Sequence, residues 1–117
     1  MRLSICTLFI FLLCSRSVDA ATAQGSHYQD KHGGQVVGTT LQLAPGEWAY
    51  WAVPVNAASG PYEATVYASG KYRADAHDGT YWQNRGTFTG TASFPSTTGL
   101  VAIHARTAVT VWAVGVE

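Results

Sequence analysis

The sequence predicts an all-β fold: a small antiparallel β-sandwich, jelly-roll-like, of seven to eight short strands, preceded by a signal peptide. Three observations predict it. From Gln35 onward, short runs rich in Val, Thr, Tyr and Trp are separated by Gly, Pro, Asn and Asp, which is the composition of strands and tight turns. No stretch after the leader carries apolar residues at i, i+3, i+4 and i+7 over three turns, so no amphipathic helix is expected. The runs recur at intervals of about 8–12 residues, the spacing of sandwiches and barrels.

The first 23 residues read as a leader. Arg2 gives a basic start, Leu3 to Leu13 an apolar run, and Val18-Asp19-Ala20 and Ala21-Thr22-Ala23 two small-residue cleavage sites, so the cut is expected after Ala20 or Ala23. The apolar run is far shorter than the ~20 residues that span a bilayer, so a secreted protein, extracellular or periplasmic, with no membrane insertion after cleavage is expected. Cys14 sits where a lipoprotein cysteine would, but Leu13 before it is too large for that signal. Both cysteines, Cys6 and Cys14, leave with the leader, so no disulfide is expected in the mature chain. Its stability then rests on an apolar core, supplied by aromatics that all lie after residue 23 apart from Phe9 and Phe11.

Residues 24–35, QGSHYQDKHGGQ, are polar and end in paired glycines, and read as a flexible N-terminal arm. Residues 36–117 form the predicted sandwich domain. Its organising stretch is Leu41 to Val55, LQLAPGEWAYWAVPV, two strands about an Ala44-Pro45-Gly46-Glu47 turn. Side chains alternate along a strand, so Leu41, Leu43, Trp51, Val53 and Val55 face a core while Trp48 and Tyr50 face away from it. The strands are expected near Gln35 to Leu43, Glu47 to Val55, Tyr62 to Ser69, Lys71 to Ala76, Thr80 to Gln83, Thr87 to Phe94, Gly99 to Ala105 and Ala108 to Val116. Turn chemistry marks Asn56 to Pro61, Ser69-Gly70, Asp78-Gly79, Asn84-Arg85-Gly86, Pro95 to Gly99 and Arg106-Thr107. The last strand is apolar on both faces and is expected at a sheet centre. Pro54 lacks a ladder donor and points to an edge or a bulge.

Removing Arg2, Arg16 and Asp19 from seven basic and seven acidic residues leaves five against six, a net charge of −1. Such a balance offers no electrostatic footprint for nucleic acid. Recognition therefore rests on shape, stacking and neutral hydrogen bonds, and the expected partner is a glycan or a secreted or envelope protein. Sugar rings present C–H faces to indole and phenol rings while Asn, Asp and Arg bond their hydroxyls. Trp48 and Tyr50 supply rings facing away from the core. The stretch Lys71 to Arg85, KYRADAHDGTYWQNR, gathers Tyr72, Arg73, Asp75, His77, Asp78, Tyr81, Trp82, Asn84 and Arg85. These residues together are the expected ligand site of a non-catalytic carbohydrate-binding module, with a protein-interaction subunit using the same rings as the alternative.

Other chemistries leave weaker marks. Asp75 and Asp78 are the one place where calcium ligands gather, without the repeated acidic positions and closing glutamate of an EF-hand loop. His27, His32 and His104 lack zinc-site spacing and read as solvated or locally satisfied. Glu47 and Glu63 are the candidate carboxylate pair, but no catalytic motif accompanies them. No enzyme activity and no cofactor are expected.

Overall fold

The computed structural model describes residues 21–55 and 61–117. The leader up to Ala20, acylation of Cys14 and most of the Asn56 to Pro61 turn fall outside the described residues. Eleven strands are present: β1 Ala21–Gln24, β2 Asp30–His32, β3 Gln35–Val37, β4 Thr40–Leu43, β5 Trp48–Ala52, β6 Tyr62–Ser69, β7 Lys71–His77, β8 Trp82–Thr89, β9 Ala92–Ser96, β10 Leu100–Ala105 and β11 Val109–Val116. They form two antiparallel sheets. One has the order β3-β4-β11-β6-β9, with β1 also paired to β11; the other has the order β2-β5-β10-β7-β8. The chain passes back and forth between the sheets, and the apolar faces close on each other.

The Pro45-Gly46 turn forms as expected. Glu47 N donates to Ala44 O at 3.0 Å, and Gly46 takes a φ of 88°, which only glycine or asparagine holds cheaply at that turn position. The strands it joins differ from a simple hairpin, because β4 belongs to one sheet and β5 to the other. The turn is thus a bridge between layers, and it sets Leu41 and Leu43 from one sheet against Ala49, Trp51 and Val53 from the other. Trp51 is completely buried, its indole Nε1–H donating to Gln24 O at 3.2 Å. Strand β11 is central, with β4 and β1 on one side and β6 on the other.

Four expectations are corrected. The strand count of seven to eight rises to eleven, because Gln35 to Leu43 breaks at Gly38 into the β3–β4 hairpin and because the first residues of the described chain are themselves strands. Residues 24–35 are not a loose arm: Gln24 ends β1, which pairs with β11, β2 (Asp30–His32) pairs with β5, and Gln35 opens β3. Polar strands of three or four residues carry too little periodicity to show in the sequence. Asn84-Arg85-Gly86 is not a turn but a bulge inside β8, where Asp75 pairs with Asn84 and Ala74 with Gly86, leaving Arg85 as the extra residue. The true reversal lies at Gly90, so residues 80–94 divide into β8 and β9 rather than as expected. Pro95 sits inside β9, which pairs with β6 alone, and an edge strand tolerates the missing donor.

Glycine is needed at one close crossing. A Cβ on Gly25 would run into the carbonyl oxygen of Val111, just where the chain leaves β1. Gly25→Ala therefore forces the β1–β11 seam apart. Its expected cost is ~1–3 kcal/mol, the range for overpacking a tight site, read as a lower melting temperature.

Candidate functional site

The outer face of the β2-β5-β10-β7-β8 sheet follows from alternation. Ala49, Trp51, Val101, Ile103, Tyr72, Ala74 and Ala76 point into the core. Their neighbours Trp48, Tyr50 and Ala52, Leu100, Ala102 and His104, and Arg73, Asp75 and His77 point outward or line the opposite face. The register aligns them in rows: His32, Trp48, His104 and Arg73; then Asp30, Tyr50, Ala102, Asp75 and Asn84. Small side chains at Ala52 and Ala102 leave a trough between taller neighbours. The result is a groove of about 730 Å³, inside the size range of small-molecule sites.

Rings form the groove's walls. Trp48 lies between His32, stacked at 6.1 Å, and His104, tilted at 6.1 Å. At the other side Trp82 meets Tyr50 edge-on at 5.7 Å and His77 edge-on at 5.0 Å. These contacts hold the rings in fixed orientations while Trp82 stays 41% exposed. The polar element is a cluster on the groove floor. Arg73 Nη2 donates to Asp75 Oδ2 at 2.9 Å, and His104 Nε2 lies 3.2 Å from the same oxygen. Asp75 Oδ1 and Arg73 Nε make no hydrogen bond within the protein. Buried groups of this kind are normally satisfied, so these two atoms, which lie below the surface of the floor, are unspent by the protein itself.

His104 is held below its ordinary value of 6.5, first by burial and then by the Arg73 charge, against the pull of Asp75. At neutral pH it is therefore the neutral imidazole, with Nε2–H donating to Asp75. A depressed folded-state value means that the unfolded chain takes up this proton first. The His104 contribution is therefore intact above pH 6.5 and is lost as pH falls below it. Thermal melts from about pH 7.5 down to pH 5 are expected to show falling stability, with a shallower decline in His104→Gln. Asp78 titrates in a separate window. Its carboxylate is held below 3.8 by backbone hydrogen bonds from Tyr81 and Thr80, so that contribution fades only at more acidic pH.

Of the expected site residues, Trp48, Tyr50, Arg73, Asp75, His77 and Trp82 come together in this groove. The others do not line it. Tyr72 is a core residue, fully buried, with its hydroxyl donating to Gly90 O at 2.6 Å and burial pushing its phenol up to about 12; a residue an odd number of steps from Arg73 and Asp75 in a regular strand must face the other way. Asp78 builds the β7–β8 turn, its Oδ1 accepting from Thr80 N and Tyr81 N, each at 2.8 Å. Tyr81 stands on that turn, 70% exposed. Asn84 Oδ1 accepts from Gly86 N at 2.8 Å inside the bulge, and Arg85 is the bulged residue. The groove also contains Ala52, which alternation sets beside Trp48 and Tyr50, and Gln29, Leu100, Ala102 and His104, which only knowledge of the strand pairing could have placed there.

The candidate calcium ligands are engaged elsewhere: Asp75 with Arg73 and His104, Asp78 with its own turn and with Gln83 Nε2 at 2.9 Å. Among the described residues no group of three or more His, Cys, Asp or Glu is placed to hold a metal ion. Glu47 and Glu63 do not form a pair across one cleft. Glu47 caps the β4–β5 turn, its Oε1 accepting from Ala44 N at 2.7 Å, whereas Glu63 lies on β6 of the other sheet. Among the described residues no helix is long and apolar enough to cross a membrane.

No protein-family model matches the chain, and no curated protein matches it in sequence. Solved structures do resemble it. The C-terminal carbohydrate-binding module (CBM6) of LamC, a marine laminarinase from Zobellia galactanivorans, superposes with a TM-score of 0.64 at 10% identity, over 85% of this chain and 99% of that one. The carbohydrate-binding module CBM6cm-2 of Cellvibrio mixtus lichenase 5A, solved in complex with cellotriose, superposes with a TM-score of 0.55 at 15% identity, over 83% of this chain and 95% of that one. At such identities the likeness is one of architecture, and the chain shares the two-sheet β-sandwich fold of these modules.

Proposed function

We propose that this chain is an exported, non-catalytic module that binds an uncharged glycan in the groove of the β2-β5-β10-β7-β8 sheet. The observation that carries the reading is the pairing of oriented rings, Trp48 on one side and Tyr50 with Trp82 on the other, with the Arg73, Asp75 and His104 cluster between them. The rings offer apolar faces to the C–H surface of a pyranose, and the floor offers planar donors and acceptors to its hydroxyls. Charge favours an uncharged ligand, because Asp75 neutralises Arg73 and His104 is neutral. Hydrolysis is disfavoured, since glycosidases place two carboxyl groups about the scissile bond and, among the described residues, Asp75 is the one carboxylate lining the groove, already bound to an arginine. The solved sandwich that carries cellotriose adds support from architecture.

Polysaccharide pull-down and glycan-array binding test the reading. Binding to uncharged glycans is expected to change little between low salt and about 1 M NaCl, where the Debye length shrinks to ~3 Å. Steep salt sensitivity, or binding confined to acidic glycans, contradicts it.

Export has its own test. Strand β1 begins at Ala21, and Ala23 is buried against β11, so cleavage after Ala23 would remove most of a core-lining strand. The leader is expected to end at Ala20. Intact mass of the secreted protein decides between Ala21 and Gln24 as first residue.

A further inference from the structure

We infer a second saccharide-contacting surface on the opposite face of the sandwich, centred on Tyr67 and Trp112, which makes the module bivalent for uncharged polysaccharide. The inference rests on the proposed function for its ligand class and on separate residues for its location. Tyr67 and Trp112 are 45% and 46% exposed, and they lie on β6 and β11, which are hydrogen-bonded neighbours in the other sheet. Their rings are unused by the core. Tyr67 pairs with Ala113, and the register of β11 shifts between Val111 and Ala113, so Trp112 is the bulged residue. A bulge re-aims a side chain that would otherwise follow strict alternation. Here Trp112 follows buried Val111 to the outer face, and the extra residue returns Val114 and Val116 to the core, leaving the indole at solvent in the middle of a central strand.

The backbone also shapes the tyrosine. Gly115 has no side chain, and a Cβ there would lie 3.8 Å from Tyr67 Cε2. The phenol ring therefore rests over β11 and keeps its outer face open. Around the two rings the outward positions are uncharged: Gln24, Gln42, Thr65, Ser69 and Thr110, with Thr65 Oγ1 sharing a 2.8 Å hydrogen bond with Ser93 Oγ. Glu63 stands beyond Thr65 at the margin of this field. Glu47 borders the same face beside Gln42, Ser69 and Thr110, so the rings stand among hydroxyls and amides with carboxylates only at the edges. Neighbouring strands lie ~4.8 Å apart, so the two residues stand close enough for one stretch of chain to reach both.

An uncharged polysaccharide is the occupant this chemistry fits. A second copy of the chain would need about 800 Å² per partner with an apolar centre, whereas here two rings stand in a polar field. With ring platforms on both faces, one module bridges two glycan chains, and within a network of chains the first contact raises the effective concentration for the second.

The experiment is affinity electrophoresis in native gels containing laminarin, xylan or hydroxyethylcellulose, with sedimentation velocity on the same samples. Three proteins are compared with the parent: Trp48→Ala/Trp82→Ala, Tyr67→Ala/Trp112→Ala, and the combination of all four. Circular dichroism confirms that each folds. The two double variants are expected to keep partial retardation, each weakened about fivefold or more, the scale of lost exposed ring contacts, and the combined variant to run freely. Tyr67→Ala/Trp112→Ala is also expected to lose the parent's ability to make solutions of these glycans turbid. If Trp48→Ala/Trp82→Ala alone abolishes retardation, the second surface is wrong while the groove reading stands. Failure of the parent to bind any of the three polysaccharides overturns both. A parent that sediments as a dimer, and becomes monomeric in Tyr67→Ala/Trp112→Ala, makes this face an interface between copies and overturns the inference.

Discussion

Trp51→Ala is expected to lower the free energy of unfolding by ~3–5 kcal/mol, the range for deleting a large buried ring. The indole has no exposed surface, sits where the two sheets close, and joins Gln24 at the end of β1 to β5 through its 3.2 Å hydrogen bond. Its removal leaves a cavity flanked by both layers and takes away one of the two donors to the Gln24 carbonyl, the other being His27 N at 2.9 Å. Single domains have only ~5–15 kcal/mol in total, and here Cys6 and Cys14 both precede the sandwich. The variant is therefore expected to melt far below the parent or to accumulate poorly, measured by urea unfolding of both proteins. A melting curve matching the parent's contradicts the assignment of Trp51 to the core.

Trp48→Ala combined with Trp82→Ala is expected to do the reverse, leaving the fold intact while abolishing glycan binding in the groove. Each ring stands on the outer face of its sheet, so little core packing is lost. Each single substitution is expected to weaken binding by ~1 kcal/mol or more, the scale of an exposed ring contact. Trp82 is expected to matter more, because it meets Tyr50 at 5.7 Å and His77 at 5.0 Å. Its loss therefore frees two further groove side chains. Isothermal titration with the tightest-binding uncharged oligosaccharide measures both variants, and thermal melts check that stability is kept. Unchanged affinity in the double variant contradicts the groove as the binding site.

Much of the layer structure is legible in Leu41 to Val55, because period-two alternation separates Trp51 from Trp48 and Tyr50 and the Pro-Gly pair fixes the turn. Strand β6 is equally legible, running between Pro61 and Gly70 as the pattern of Tyr62, Ala64, Val66 and Ala68 requires. What the sequence does not carry is pairing. His104 and Ala102 enter the groove because β10 lies between β5 and β7, and no local pattern in Val101-Ala102-Ile103-His104 names those neighbours. The Asn84-Arg85-Gly86 bulge has the composition of a turn, and only the continued ladder with β7 distinguishes the two. Tyr72 shows a signal that was available: alternation with Arg73, Asp75 and His77 places it with Ala74 and Ala76, on a core face made inconspicuous by small alanines. The short polar strand β2 has no such signal, since tertiary pairing rather than intrinsic propensity makes it a strand.

The most direct test of the account is a two-dimensional NMR titration of the four tryptophan indole Nε1–H signals with a soluble uncharged glycan. The groove predicts progressive shifts at Trp48 and Trp82, together with the backbone amides of Tyr50, Asp75 and Ala102, and an unmoved signal from Trp51. Shifts confined to residues outside the groove and the Tyr67–Trp112 face, or no shift at any glycan concentration, would contradict it.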